Sequence, residues 1–302
     1  MGGSGTRAGS SACDRIRRVP DLDTPAPQAD QNALLYLDLL KRCLSGLQVS
    51  EEFQPPQPRT RVERLVNTAL SSVLRPRGLE MVRRVPVDVD LRMEGRDWPT
   101  KAETMIGMRR LDNIQLCLTD VLRQDVPGDV IETGVWRGGA TILMRAVLKA
   151  YGDVGRMVWV ADSFQGLPKP DVGSFPADTG DEHWTHDFLA VSIEEVRANF
   201  ATYQLLDDRV HFLAGWFRDT LPTAPMERLS LIRLDGDMYE STMVALRALY
   251  PKLSVGGYVI VDDYGAIPAC RLAVEDFRAE NGIVDPIEWI DWTGVYWRRS
   301  TG

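Results

Sequence analysis

Two apolar runs in this chain, Leu231-Ile-Arg-Leu-Asp-Gly-Asp237 and Gly256-Gly-Tyr-Val-Ile-Val-Asp-Asp263, have strand character, and each ends in a pair of carboxylates. In an open α/β sheet the ligand crevice lies outside the carboxyl ends of the strands, so residues that follow such runs are the ones that meet a ligand. Asp235, Asp237, Asp262 and Asp263 all fall there. Taken singly, an acidic residue at a strand end serves equally well as a turn former or helix cap. Four like charges converging on one crevice repel one another unless a cation or protons neutralise them, and that suggests a hard-metal site.

A second run says what else the crevice holds. Asp129-Val-Ile-Glu-Thr-Gly-Val-Trp-Arg-Gly-Gly-Ala-Thr141 reads as a short strand, Val130–Glu132, a glycine-containing turn, and a helix from near Ala140. Its glycines, Gly134, Gly138 and Gly139, lack the spacing of a dinucleotide loop. Glu132 would repel a pyrophosphate, which binds at a helix N-terminus, but suits an ammonium group. The next strand, Met157–Asp162, ends in Asp162, where a ribose diol is usually bound. A ligand with an adenosine ribose, an ammonium group and no phosphate is S-adenosylmethionine. Trp136 and Trp216 lie just beyond strand ends, where an indole can stack on adenine or a sugar or simply fill the core.

The chain divides near residue 95. Residues 1–30 are rich in Gly, Ser, Pro, Asp and Arg without periodicity, an arm expected to be disordered. Residues 31–95 predict a helical extension, acting as a lid or a dimer contact. One amphipathic helix over 32–48 carries Leu34, Leu35, Leu37, Leu39, Leu40, Cys43 and Leu44 on its apolar face, and another runs over 61–74. From Ala102 a helix carries Met105, Ile106, Met108, Leu111 and Leu116. Strands then alternate with helices from residue 129, and Ile287–Asp291 and Val295–Arg298 are joined by only Trp292-Thr-Gly294. So short a link makes them an antiparallel hairpin. The fold class expected is α/β: a doubly wound sheet of the class I methyltransferase kind, with an antiparallel C-terminal hairpin and the helical extension in front. The loop Phe164–Asp187 is long enough to be a mobile cover. It holds Asp178, Asp181, His183 and His186, the two histidines more simply solvated than paired on a metal.

Several motifs in order now resemble a known family: Asp97-Trp-Pro99, Thr104-Met-Ile-Gly107, Val126 through Gly139, Val160-Ala-Asp-Ser-Phe164, Leu234-Asp-Gly-Asp-Met-Tyr-Glu-Ser241 and Val261-Asp-Asp-Tyr264. They are similar to the macrocin O-methyltransferases, which methylate sugar hydroxyls on antibiotics. The resemblance covers roughly residues 97–300, with a further match in the helix Tyr36–Leu44. It implies Mg²⁺ held by Asp235, Asp262 and Asp263, with Asp237 as general base. The cofactor contacts expected are Thr104, Met105, Glu132, Gly134, Gly138, Asp162, Ser163, Gly215 and Trp216. The acceptor implied is a small-molecule glycoside. Another vicinal diol, a catechol or a polysaccharide end, fits the same metal site. A nicotinamide oxidoreductase is opposed by the glycine spacing and by Glu132, and nothing speaks for a non-catalytic binding module.

Bulk properties restrict the partners. A formal net charge of −8 argues against nucleic acid, since phosphate binding needs a basic surface. No run of about 18 apolar residues is present, and Met1-Gly-Gly-Ser-Gly-Thr-Arg lacks the apolar core of a signal peptide, so no membrane role and a cytoplasmic location are expected. Cys13, Cys43, Cys117 and Cys270 are widely separated and without zinc spacing, so free thiols are expected. A homo-oligomer, a dimer, is the expected assembly.

Overall fold

The structure, a computed structural model, describes residues 31–301; the N-terminal arm and Cys13 lie outside the described residues. The front section contains helix α1 (Gln31–Leu44), strand β1 (Glu51–Gln54), helix α2 (Arg61–Leu74), strand β2 (Arg83–Pro86) and helix α3 (Val89–Glu94). The main domain then runs α4 (Met108–Arg123), β3 (Asp129–Thr133), α5 (Gly139–Ala150), β4 (Val158–Asp162), α6 (Ile193–Thr202), β5 (Val210–Ala214), α7 (Phe217–Thr220) and β6 (Leu229–Leu234). It finishes with α8 (Tyr239–Leu249), β7 (Leu253–Val261), α9 (Pro268–Glu280), β8 (Glu288–Trp289) and β9 (Val295–Arg298).

Seven strands form one sheet in the order β5-β4-β3-β6-β7-β9-β8. The first five are parallel, whereas β9 runs antiparallel to β7 and to β8, the latter as the short link between β8 and β9 requires. Strand order reverses at β3, which has β4 on one side and β6 on the other, and a crevice opens at such a switch point. Alternation along the strands sorts the core into two layers. Val130, Val158, Val160, Leu231 and Ile260 pack with α1, α4 and α5, while Ile131, Ala161, Ile232, Val259 and Val261 pack with α8 and α9.

Several elements differ from their sequence expectations. Of the apolar residues of α1 the stripe Leu37, Leu40 and Leu44 is buried, beside Lys41, and Leu34, Leu35 and Leu39 face outward. Helix α4 starts at Met108 rather than Ala102, because Gly107 crosses Gly95 so closely that a Cβ there would collide with the backbone of residues 93–95. Residues 102–107 are thereby left extended, and Leu116 of α4 is exposed. The pair β1–β2 and helix α3 are too short to leave a periodic signature. The long loop after β4 is ordered by three single turns, Pro176–Asp178, His183–Thr185 and Asp187–Leu189. Among the described residues no helix is long and apolar enough to cross a membrane.

Candidate active site

Register builds the site. Thr133 pairs with Ala161 on one side and with Leu234 on the other, and Leu234 pairs with Val261. The strand ends are therefore level, and Gly134, Asp162, Asp235 and Asp262 form one row along the sheet's carboxyl edge. A cleft of about 440 Å³ opens above this row. Of the residues expected from sequence, Thr104, Met105, Glu132, Gly134, Asp162, Ser163, Trp216, Asp235, Asp237, Asp262 and Asp263 line it. Gly138 and Gly215 do not. Gly138, at φ 87°, opens α5 where a Cβ would press on Val196, and Gly215 leaves room for Thr220.

On the β3–β4 side the turn is fixed by backbone geometry. Gly134 sits at φ 81°, and a Cβ there would overlap the carbonyl oxygen of Asp235. Asp162 accepts from the Val135 N–H at 2.7 Å and the Phe164 N–H at 2.8 Å, tying the β3 turn to the end of β4. Burial pushes the Asp162 carboxyl above its ordinary pKa, against the pull of these N–H donors. Glu132 is less free than its sequence position suggests. The Thr141 hydroxyl and the Arg233 guanidinium, at 2.5 Å, hold its carboxylate on the cleft floor.

On the β6–β7 side the oxygens of Asp235, Asp262 and Asp263 lie within 4.8 Å of one another. Two arginines that sequence reasoning passed over sit among them. Arg233, 1% exposed, donates to Glu132, to Asp235 at 2.8 Å and to Asp262. Arg110 of α4 donates to Asp262 and reaches Asp291 at 3.0 Å. A charged residue inside the apolar run Leu231-Ile-Arg-Leu234 was the available signal, since a buried guanidinium must be paired. Burial alone would raise Asp262, but Arg110 and Arg233 outweigh it and hold that carboxyl below the ordinary range. Asp235 is pushed up to about 8 by burial and then by the charge of Asp262, and burial with the neighbouring Asp237 and Asp235 carries Asp263 well above its usual value. Five carboxylates, counting Glu132 and Asp237, thus face two guanidiniums. An all-oxygen donor set with an excess of negative charge fits a hard dication such as Mg²⁺.

Asp237 stands apart from this triad in conformation. Its φ is 57°, left-handed and rare for a residue other than glycine, and its N–H donates to Asp263 at 3.2 Å. Burial lifts its carboxyl to about 6, opposed by His183 and aided by Asp181 and Asp262. Asp237 does not cap the helix that follows. Met238 occupies the N-cap position without a side-chain acceptor, and Asp178 from the long loop accepts instead, from the Tyr239 N–H at 2.6 Å and the Glu240 N–H at 3.0 Å. The same loop brings His183, bonded to Asp181 at 2.7 Å, to the cleft wall. His183 and His186 do not form a metal pair: His183 meets Asp181, and His186 stacks on Phe188 at 5.5 Å. At the mouth, Arg96 lies 4.6 Å over the Trp292 ring, and Trp98 packs edge-on against Phe188 at 4.6 Å. Of these rim residues the sequence reading held Trp98, within the motif Asp97-Trp-Pro99, and Trp292, in the hairpin link, but gave neither a place in the cleft.

Comparison with known proteins gives a consistent picture. Residues 33–299 match the family model described as macrocin-O-methyltransferase (TylF). The chain is 59% identical over 214 residues, 70% of its length and 82% of the relative's, to an 8-demethyl-8-(2,3-dimethoxy-alpha-L-rhamnosyl)-tetracenomycin-C 4'-O-methyltransferase from Streptomyces olivaceus. It is 48% identical over 286 residues, 93% of its length and 99% of the relative's, to a demethyldecarbamoylnovobiocin O-methyltransferase from Streptomyces niveus. Among solved structures, the O-methyltransferase NovP superposes with a TM-score of 0.76 at 47% identity, over 89% of this chain and 100% of that one. The calicheamicin methyltransferase CalS11, at 18% identity and a TM-score of 0.53 over 90% of this chain and 94% of that one, shares the fold.

Proposed function

The chain belongs to the macrocin O-methyltransferase family, an O-methylating enzyme of class I methyltransferase fold, and from that premise we propose that it transfers a methyl group from S-adenosylmethionine to a sugar hydroxyl of a glycosylated natural product with the help of Mg²⁺. The observation that carries the metal-dependent reading is the convergence of Asp235, Asp262 and Asp263 beside the left-handed Asp237, level with the end of the cofactor strands. The Streptomyces olivaceus relative is named for a rhamnosyl-bearing tetracenomycin, which supports the acceptor class.

When bound, the sulfonium supplies an electrophilic methyl group and the dication acidifies and aligns a hydroxyl. The chain's own residues do the rest. Asp162 and the turn at Gly134 hold the cofactor's ribose and backbone end, with Thr104, Met105, Ser163 and Trp216 around it. Asp235, Asp262 and Asp263 hold the cation, Asp262 already oriented by two guanidiniums. Asp237 accepts the hydroxyl proton. Alignment for an in-line displacement follows from the shared edge of the sheet, which sets cofactor-binding and proton-accepting groups at one level.

The experiment is transfer of labelled methyl to a panel of glycosides, with EDTA and with Mg²⁺ restored. Activity should vanish and return. Asp237→Asn should keep Mg²⁺ and cofactor but slow transfer by about 10²–10⁴-fold, whereas Asp235→Asn should weaken Mg²⁺ and be partly rescued by more of it. Metal lost from Asp237→Asn and retained by Asp235→Asn would reverse the two roles.

A further inference from the structure

Asp237 is held in a left-handed conformation that persists only where its surroundings over-determine it. Something must supply that constraint. On one side the Asp237 N–H donates to Asp263. On the other, the chain enters α8 two residues later, and there the local sequence offers no help. The first N–H groups of a helix lack partners within it, a Ser, Thr, Asp or Asn at the N-cap normally supplies one, and here that position is Met238, fully buried and unable to accept.

Asp178 fills the gap from a distance of 61 residues along the chain. It is 1% exposed, and its two oxygens separately accept the N–H groups of Tyr239 and Glu240, the first two residues of α8. A carboxylate there also meets the positive end of the helix dipole. The Phe175 ring packs 6.2 Å from that of Tyr239, so the turn bearing Asp178 is seated on the same helix start. The long loop is thus clamped, not merely draped: the Trp136 indole N–H donates to the Phe188 carbonyl at 2.9 Å near its far end.

We propose that Asp178 is a positioning residue for methyl transfer: by fixing the first turn of α8 from the loop side, it holds Asp237 in the left-handed conformation that turns its carboxylate into the cleft. This rests on the reading of Asp237 as general base. Asp178 is not among the residues that line the cleft. Its loss acts through the two backbone N–H groups it releases, which are then free to let residues 236–240 relax.

The test compares Asp178→Ala and Asp178→Asn with the parent enzyme and with Asp237→Asn. Crystal structures of the two Asp178 variants should show Asp237 leaving the left-handed region or splitting between conformers in the alanine variant, and less so in the asparagine variant, which keeps one acceptor. With 8-demethyl-8-(2,3-dimethoxy-alpha-L-rhamnosyl)-tetracenomycin C as acceptor, kcat should fall about 10- to 100-fold in Asp178→Ala, the scale of a small misplacement of a catalytic group. Calorimetric affinity for S-adenosylmethionine should stay within about twofold of the parent, about 0.4 kcal/mol on the affinity scale. A left-handed Asp237 and an unchanged kcat in a folded Asp178→Ala would overturn the inference. So would a loss of cofactor affinity that accounts for all the loss of rate, since that marks a loop-ordering role alone. If the alanine variant does not fold, the asparagine variant decides by the same two readouts. An unchanged rate in Asp237→Asn would instead refute the base assignment on which the inference stands.

Discussion

Replacing Arg233 with methionine tests how the acidic cluster is kept folded. The guanidinium is fully buried and serves three carboxylates, Glu132, Asp235 and Asp262, so its removal leaves five acids facing Arg110 alone. Breaking a buried ion pair by deleting one partner costs about 3–5 kcal/mol, because the surviving charge is buried without compensation. For a domain of this size, at about 2–4 °C per kcal/mol, that is roughly 6–20 °C in melting temperature. Two cations can replace what was lost. Protons bind the freed carboxylates, so the gap between variant and parent should narrow as the pH falls towards about 5. Mg²⁺ should raise the melting temperature of the variant more than that of the parent, since a ligand that binds only the folded state stabilises it. Differential scanning calorimetry in EDTA and in Mg²⁺, at two pH values, reads all of this. A variant that melts within about 2 °C of the parent in EDTA, less than 1 kcal/mol on that scale, would show that Arg233 does not neutralise the cluster.

Gly134→Ala should weaken cofactor binding by about tenfold or more, roughly 1.4 kcal/mol, because a side chain at positive φ is strained and this one also meets Asp235; calorimetry with unchanged affinity would sink that expectation. Asp207 is held below the ordinary carboxylate range by hydrogen bonds from Arg145, at 2.7 and 3.0 Å. A lowered folded pKa gives stability that is present above the unfolded value of about 3.9 and lost as the pH falls through the folded one. Urea midpoints of Asp207→Asn and the parent should therefore differ at neutral pH and draw together as the pH falls below the unfolded value of about 3.9.

The sheet was legible in the sequence because each strand announces itself by an apolar run and a level polar end. The carboxylates at 235, 237, 262 and 263 could be grouped for the same reason: strand ends at a switch point face one crevice. What escaped were contacts made across the chain. Arg110 meets Asp262 over a separation of 152 residues, and Asp178 meets Tyr239 over 61. Neither shows as periodicity or spacing. Gly138 is a different case: its place in a glycine loop suggested ligand contact, yet it does not line the cleft, and close packing against Val196 gives the glycine a reason of its own. The expected start of α4 at Ala102 failed because apolar residues lining a cleft look, in one dimension, like the face of a helix.

Arg233 gives the centre a property that concerns variation more than chemistry. One guanidinium ties the carboxylate of the cofactor strand to two of those on the far side of the switch point. A change in any of the four alters the balance for the rest, so the centre can be inherited only as a block. Arg96 and Trp98 line the same cleft yet make no contact with that block. On the function proposed above, a substitution at the rim would reshape the entrance and leave the charged network beneath it intact.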